Sequence, residues 1–164
     1  MKTLFLGRHA KSGHNQGVTS DFDRRLDEEG IRQAKEIGRR LKLQGEIPQQ
    51  LVSSSAVRAL STARLMADEW GKHPEEIDKR RILYNAGIPE ILKVINELGN
   101  SSQSAIIFGH NPGLSEMLNY LSGTMQSPMS PCTVAKIVFS DADSWKEISM
   151  GGGTVDFILA PHVH

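Results

Sequence analysis

The sequence predicts an α/β fold, a three-layer α/β/α sandwich with a mainly parallel central sheet. Short apolar runs of strand length alternate with longer segments whose apolar residues recur at helical spacing. Beyond Gly123 the pattern changes to two strand-like runs, which predict an antiparallel edge. A length of 164 residues suits one sizeable core, so we expect residues 1–164 to form a single domain. Residues from about 161 to 164 are interpreted as a tail that need not be ordered.

The first predicted elements are a strand, a helix, a second strand and a second helix. The apolar run at 4–6 indicates a buried strand. In DEEGIRQAKEIGRRLKLQG the apolar residues have helical spacing, Asp27 is placed to cap the helix, and Gly45 is placed to end it. The run QLVSS predicts a short strand, and SAVRALSTARLMADEWG predicts the second helix.

The later elements are a third strand at 81–83 and a helix at about 89–98. The segment SAIIFGHNPGLSEMLNYL then predicts a strand, a turn and a helix, with Asn111 as the cap and Pro112 at the first helical position. The runs TVAKIVF and TVDFILA predict the last two strands, joined through the glycines at 151–153.

The composition excludes several classes of protein. Nineteen basic residues balance nineteen acidic ones, so no overall charge attracts nucleic acid or an anionic membrane. The single cysteine, Cys132, excludes an intramolecular disulfide, and no run approaches the roughly 20 apolar residues of a membrane span. We expect a cytoplasmic protein without a nucleic-acid or membrane partner, and the sequence leaves its oligomeric state open. The six histidines lack zinc-type spacing, and neither a P-loop nor a G-x-S-x-G motif is present, so we expect no metal or cofactor.

Polar residues follow three of the predicted strands at the point where each strand ends. His9 and His110 each come directly after an apolar strand, and Arg58 lies in the first helical turn after QLVSS. In open α/β sheets the carboxyl ends of the strands share one crevice, so we expect these side chains to face one pocket. A cation near a helix N-terminus opposes the helix dipole, which indicates that a bound anion offsets its cost. Arg8 and Arg58 have the guanidinium geometry that binds phosphoryl oxygens.

Taken together, these motifs resemble the histidine phosphatase superfamily, which includes phosphoglycerate mutases and acid phosphatases. The resemblance rests on RHAKSGHN, DRRLDEEGIRQAKEIGRRL, SSSAVRALSTA and FGHNPG, and it spans nearly the whole chain. Ala10 replaces the glycine of the usual Arg-His-Gly signature, and Lys11 stands where many members have glutamate. With the small size, SDFDRRL and the late GGG, the chain is most similar to the SixA-type phosphohistidine phosphatases. The implied fold is phosphoglycerate mutase-like.

The resemblance implies a metal-independent covalent mechanism. His9 attacks phosphorus, a phosphohistidine intermediate forms, and water hydrolyses it, while Arg8, Arg58 and His110 neutralise the transferred oxygens. Asn15 and Ser12 are candidate substrate contacts, although a turn or capping role is as consistent with each residue type. The protonation state of His110 is left open.

The general acid is not identified by the sequence. Larger relatives supply a glutamate from an insertion after the arginine-bearing helix, and this chain has no clear equivalent. The candidates are Asp21, Asp23 and His14, with turn or capping roles open for the aspartates. As an acid, either aspartate would matter little for phosphohistidine, whose imidazole leaves once solvent protonates it, and more for an alkyl ester.

The predicted substrate is therefore phosphohistidine on a phosphorelay or phosphotransfer protein. Two alternatives remain open at this stage. One is a small-molecule phosphomonoesterase or mutase of the same superfamily, and the other is a phosphoprotein-binding module without catalysis.

Overall fold

The structure, a computed structural model, describes residues 1–13, 17–18 and 20–162. Within them the chain forms four strands and four α-helices in alternation, followed by two further strands that extend the sheet in antiparallel fashion at the C-terminal end. In chain order they are β1 (Lys2–Arg8), α1 (Glu28–Leu43), β2 (Gln50–Ser54), α2 (Val57–Glu69), β3 (Ile77–Arg80), α3 (Ile88–Asn96), β4 (Ser104–Gly109), α4 (Gly113–Ser122), β5 (Val134–Phe139) and β6 (Thr154–Leu159), the last two being that antiparallel pair.

The strands form one sheet in the order β3-β2-β4-β1-β5-β6. β3, β2, β4 and β1 pair in parallel, whereas β5 is antiparallel to both β1 and β6. The prediction of a mainly parallel sheet with an antiparallel C-terminal part is therefore confirmed.

Helices cover both faces of the sheet because successive side chains of each strand point to opposite faces. Leu4 and Leu6 of β1 pack into the core that includes residues of α3 and α4. Phe5, between them, packs into a second core with residues of α1 and α2. These two cores on opposite faces give the predicted three layers.

Helix α1 begins and ends where the sequence predicts. The Asp27 carboxylate accepts a hydrogen bond from the backbone N–H of Gly30 at 2.8 Å, which caps the helix. The helix ends at Leu43, and Gly45 follows with φ +72°, in the left-handed region that favours glycine.

The third strand is not where the sequence predicts it. The strand is Ile77–Arg80, and Arg81–Leu83 forms a 3₁₀ turn. β3 pairs with β2 only as far as the Ser54–Arg80 pair, where β2 itself ends. Residues 81–83 therefore have no strand beside them to extend the ladder.

Two connections also differ from the prediction. Helix α4 begins at Gly113, with Pro112 at the cap position, and Asn111 instead accepts hydrogen bonds through Oδ1 from the Ser115 N–H and hydroxyl. The link between β5 and β6 is longer than a glycine turn, because it contains a 3₁₀ turn at Trp145–Glu147 that buries the Trp145 ring.

The described part of the C-terminal tail lies against α1. Arg40 donates to the carbonyl of Ala160 at 2.9 Å, and the His162 N–H donates to Glu36 at 3.0 Å. Residues 163–164 lie outside the described residues. In the part of the chain that the structure describes, no helix has the length and apolar character needed to cross a membrane.

Gly30 allows α1 to pack directly against the segment that follows β1, because a Cβ at this position would overlap the carbonyl oxygen of Lys11. We expect Gly30→Ala to lower the free energy of unfolding by about 1–3 kcal/mol, despite the higher helix propensity of alanine. Urea denaturation measures this change. Gly152→Ala is the control, since its Cβ would come no closer than 3.7 Å to another atom. A Gly30→Ala variant as stable as the parent would contradict the packing.

Candidate active site

The two histidines lie side by side because their strands are neighbours in the sheet. β1 and β4 pair in parallel up to Arg8 and Gly109, and the His9 N–H donates to the Gly109 carbonyl at 3.1 Å. The rings of His9 and His110 follow, with their centroids 5.3 Å apart. Both line a cavity of about 320 Å³, together with Arg8, Lys11, Ser12, Asp21, Arg24, Arg58, Asn85, Asn111 and Pro131.

His9 is a neutral imidazole with a free nitrogen. Its Nδ1 lies 2.8 Å from the Ala10 carbonyl oxygen, which can only accept, so Nδ1 carries the proton and Nε2 keeps its lone pair. The residue is 7% exposed. Burial lowers the pKa of His9 to about 4, and the charges of Arg58 and Arg8 act in the same direction, against the hydrogen bond to Ala10. At neutral pH this side chain has the unprotonated nitrogen that a nucleophile requires.

His110 is also neutral in this environment. Its Nε2 lies 2.8 Å from the Ser54 hydroxyl oxygen at the end of β2. Burial lowers the pKa of His110 to about 3. The neighbouring His9 and Arg58 act in the same direction, and the charge of Asp21 opposes the shift. The Tyr84 ring contacts the His110 ring edge-on, with centroids 5.6 Å apart.

Three guanidinium groups surround the histidines, each fixed by an oxygen acceptor. Arg8 donates through Nη1 to the Met129 carbonyl at 2.9 Å. Arg24 donates to the Ser12 hydroxyl at 2.7 Å. Arg58, whose side chain is 8% exposed, donates to the carbonyl oxygen of Asp21 at 2.7 Å and to its carboxylate at 3.0 Å.

The buried polar side-chain atoms that lack a partner in the described part of the chain converge on this cavity. Within the described residues, the buried side-chain nitrogens or oxygens without a hydrogen-bond partner are four nitrogens, those of Arg8 Nε, Arg24 Nε, Arg58 Nε and His110 Nδ1. Each belongs to a residue that lines the cavity. An unpaired buried donor is costly, so this arrangement fits a ligand with several acceptor oxygens. A phosphoryl group has that chemistry.

The structure brings together Arg8, His9, Arg58 and His110, as the sequence predicts. Ser12 also lines the cavity, and because its oxygen accepts from Arg24, its own hydroxyl proton remains available to a ligand oxygen. Asn15 and His14 lie outside the described residues, so their predicted roles stay predictions.

Asp21 lines the cavity, and Asp23 is not among the lining residues. The Asp23 carboxylate instead accepts from the Ser20 hydroxyl at 2.8 Å. Hydrogen bonds from Tyr84 and Arg58 hold the pKa of Asp21 below its usual value. Asp21 is therefore ionised at neutral pH, an arrangement that does not favour it as a proton donor.

Sequence reasoning did not identify Arg24, Ser54 and Tyr84 as parts of the site. Arg24 was within the quoted motif SDFDRRL, but nothing in the sequence distinguished it from the adjacent Arg25.

Cys132 lies buried, and burial raises the pKa of its thiol, which removes the reactive thiolate. The described residues contain no group of three or more histidine, cysteine or acidic side chains that could hold a metal ion.

The low pKa values of the two histidines predict a pH-dependent stability. An imidazole of ordinary pKa 6.5 in the unfolded chain takes up a proton before the buried ring does, so stability falls as the pH drops from 6.5 towards 4. Each ring contributes up to about 1.4 kcal/mol per pH unit in that window. Urea denaturation at pH 7 and pH 5 measures the loss, and His9→Ala should reduce it. An unchanged loss in that variant would contradict the buried neutral state of His9.

Arg58 is predicted to contribute directly to anion binding. Since a hydrogen bond to a charged group contributes about 1.5–3 kcal/mol, we expect Arg58→Ala to weaken the binding of inorganic phosphate by roughly 10- to 100-fold. Isothermal titration calorimetry measures the Kd. Arg64→Ala, an exposed arginine on the same helix, is the matched control and should bind phosphate as the parent does. Equal Kd values for the two variants would place the anion elsewhere.

Comparisons with known proteins agree with this geometry. Residues 4–85 match the histidine phosphatase superfamily (branch 1). An uncharacterized protein of Mycobacterium tuberculosis is 31% identical over 121 residues, which cover 71% of this chain and 72% of the relative.

Two solved structures share the fold. The proposed phosphohistidine phosphatase SixA from Agrobacterium tumefaciens is similar with a TM-score of 0.80 and 23% identity, over 98% of this chain and 99% of that chain. A protein histidine phosphatase SixA complexed with tungstate is similar with a TM-score of 0.81 and 18% identity, over 97% of each chain. The predicted phosphoglycerate mutase-like fold and the predicted enzyme class, a phosphatase, are confirmed. The chain belongs to the histidine phosphatase superfamily.

Proposed function

We propose that this phosphatase removes the phosphoryl group from phosphohistidine on a phosphorelay or phosphotransfer protein, without a metal ion. The observation that carries the proposal is the set of four unpaired buried nitrogens around a neutral histidine whose Nε2 is free to attack. We also place the protein in the cytoplasm, because a reducing compartment suits its free, buried Cys132.

In the first step the lone pair of His9 Nε2 attacks phosphorus in line. The Nε2–P bond forms while the P–N bond of the substrate breaks, and its electron pair stays on the leaving imidazole. The phosphoryl oxygens receive hydrogen bonds and positive charge from three guanidinium groups, those of Arg8, Arg24 and Arg58, and a further hydrogen bond from His110 Nδ1. These groups are fixed before the substrate arrives, so little reorganisation is needed.

In the second step water attacks phosphorus, the Nε2–P bond breaks, and phosphate leaves. The phosphorylated imidazole carries positive charge while Nδ1 keeps its proton, and the Ala10 carbonyl, 2.8 Å from Nδ1, stabilises that charge. Breaking the bond returns the lone pair to Nε2, and the proton lost by water passes to solvent. His9 is thereby regenerated in its neutral form.

The choice of substrate rests on the acid–base groups of the cavity. Asp21 is the acidic residue among the described lining residues, and it is ionised. Helix α2 ends at Glu69 and β3 begins at Ile77, which leaves no room there for an inserted lobe. An alkyl ester needs a proton on its leaving oxygen, whereas a phosphohistidine ring leaves once solvent has protonated it. The two SixA structures, named for phosphohistidine or histidine phosphatase activity, support the same substrate class.

Three substrates test the proposal: a phosphohistidine-bearing protein, a phosphoserine peptide and a small sugar phosphate. We expect kcat/KM for the phosphohistidine protein to exceed the other two by at least about 100-fold, the lower range of what a general acid contributes to ester cleavage. His9→Ala should lose all but a trace of turnover while its unfolding temperature stays near that of the parent. His73→Ala, an exposed histidine outside the cavity, is the control and should retain full activity.

The alternatives give different results in the same experiment. Equal or faster hydrolysis of the sugar phosphate would indicate a small-molecule phosphomonoesterase, and movement of its phosphoryl group between positions would indicate a mutase. Binding of phosphoproteins without turnover of any of the three substrates would indicate a binding module.

A further inference from the structure

Asp21 has a position and a set of contacts that the proposed mechanism does not use. Its carboxylate oxygen Oδ2 accepts from the Tyr84 hydroxyl at 2.7 Å and from Arg58 at 3.0 Å. The other oxygen, Oδ1, has the Arg24 guanidinium at 3.5 Å. The side chain is 49% exposed, in contrast to the buried Arg58. One oxygen therefore fixes the carboxylate, and the other retains acceptor capacity at the solvent-facing edge of the cavity.

The carboxylate is held rigidly from both sides. Asp21 begins the 3₁₀ turn Asp21–Asp23, which Ser20 caps. The ring of Phe22, in that turn, contacts the Tyr84 ring edge-on with centroids 5.0 Å apart. The guanidinium of Arg81 lies 4.3 Å from the centre of the Phe22 ring. The turn is thus fixed both to α2 and to the 3₁₀ turn after β3.

The charge of Asp21 is opposite to that of the other ionised groups of the cavity. The remaining charged side chains among the described lining residues are Arg8, Lys11, Arg24 and Arg58, all cations. A phosphohistidine substrate whose ring is protonated would bring a further positive charge into this environment. A fixed carboxylate at the rim offsets that repulsion.

We propose that Asp21 is a specificity-determining residue that accepts a hydrogen bond from the protonated ring of a phosphohistidine substrate and thereby favours cleavage of P–N over P–O bonds. This inference rests on the proposed function and names the residue that selects its substrate class. It assigns Asp21 a role opposite to that of a general acid, since the carboxylate accepts and does not donate.

Cleavage of the P–N bond needs no proton from the enzyme. Solvent protonates the ring nitrogen distant from phosphorus, and that N–H donates to Asp21. His9 Nε2 forms its bond to phosphorus, the P–N electron pair stays on the leaving nitrogen, and the ring departs as neutral imidazole with its proton. An aryl or alkyl ester departs instead as a phenolate or an alkoxide, which the Asp21 carboxylate repels. The effect of Asp21 therefore has opposite signs for the two substrate classes.

The charged and titratable groups around Asp21 are compatible with this role. Arg58 faces it from α2, Arg24 from the same segment, and Tyr84 from the end of the 3₁₀ turn after β3, while the charge of Asp21 also acts on the nearby His110. The Tyr84 hydrogen bond, as the largest cause, together with Arg58 and Arg24 keeps the pKa of Asp21 below its usual value. A bound phosphoryl group draws on the two arginines, which leaves the carboxylate charge less neutralised during the reaction.

The test compares Asp21→Asn with the parent on a phosphohistidine peptide and on p-nitrophenyl phosphate. We expect kcat/KM for the phosphohistidine peptide to fall at least tenfold, whereas kcat/KM for p-nitrophenyl phosphate rises. The alkaline limb of the phosphohistidine pH profile should move to lower pH, because the substrate ring loses its proton more readily. Asp68→Asn, an exposed aspartate on α2, removes the same charge outside the cavity and should match the parent on both substrates.

A second variant, Tyr84→Phe, keeps the carboxylate and removes the hydroxyl that holds it, so it should lower phosphohistidine turnover in the same direction and by less. An equal loss on both substrates would mean that Asp21 only positions Arg58. A larger loss on the ester would make Asp21 a general acid. If Asp23→Asn lowered kcat/KM for the phosphohistidine peptide and raised it for p-nitrophenyl phosphate, the role would belong to Asp23 and not to Asp21. Each of these results overturns the inference.

The failure of the proposed function gives a separate result. In that case the parent enzyme hydrolyses p-nitrophenyl phosphate but not the phosphohistidine peptide, and the Asp21 inference falls with it. If the parent hydrolyses the phosphohistidine peptide and Asp21→Asn does so equally well, the proposed function stands and only the role of Asp21 is refuted.

Discussion

The parallel pairing of β1 with β4 is the constraint on which the site depends. Its register sets Arg8 opposite Gly109, so the residues that follow, His9 and His110, leave the sheet at the same height. β2 lies on the other side of β4 and ends at Ser54, which reaches His110 and leads into the helix that carries Arg58. A shift of one residue in the β1–β4 register would place a histidine on the opposite face of the sheet and separate the pair.

Burial gives the site its chemistry as well as its geometry. Removing an imidazole from water beside guanidinium groups disfavours the imidazolium form, which leaves His9 with the lone pair that a nucleophile requires. The same burial leaves nitrogens of Arg8, Arg24 and Arg58 without partners, a cost to the folded state. A site of this kind is less stable than the fold alone would permit, and an anion with several oxygens offsets the cost when it binds.

The sequence predicts those parts of the structure that local pattern determines. Helix α1 was predicted from spacing and from Asp27, and His9, His110 and Arg58 from their places after strands. β3 was misplaced because IDKR contains one apolar residue, and only pairing with β2 makes it a strand. Arg24 and Tyr84 were missed because turns carry them, and their positions depend on contacts such as that between Phe22 and Tyr84, which no periodicity records.

β1, the strand that leads to the proposed nucleophile His9, is supported by distant parts of the chain. Thr133 accepts from the Arg8 N–H, Cys132 donates to the His9 carbonyl, and Met129 accepts from the Arg8 side chain. β1 is the first strand of the described chain, and its neighbour β5 is the fifth of six. During translation, therefore, a nascent chain contains its nucleophile for most of its length before the backbone that fixes it exists. A chain cut before β5 would therefore carry the signature residues of the site without the backbone contacts that fix Arg8 and His9.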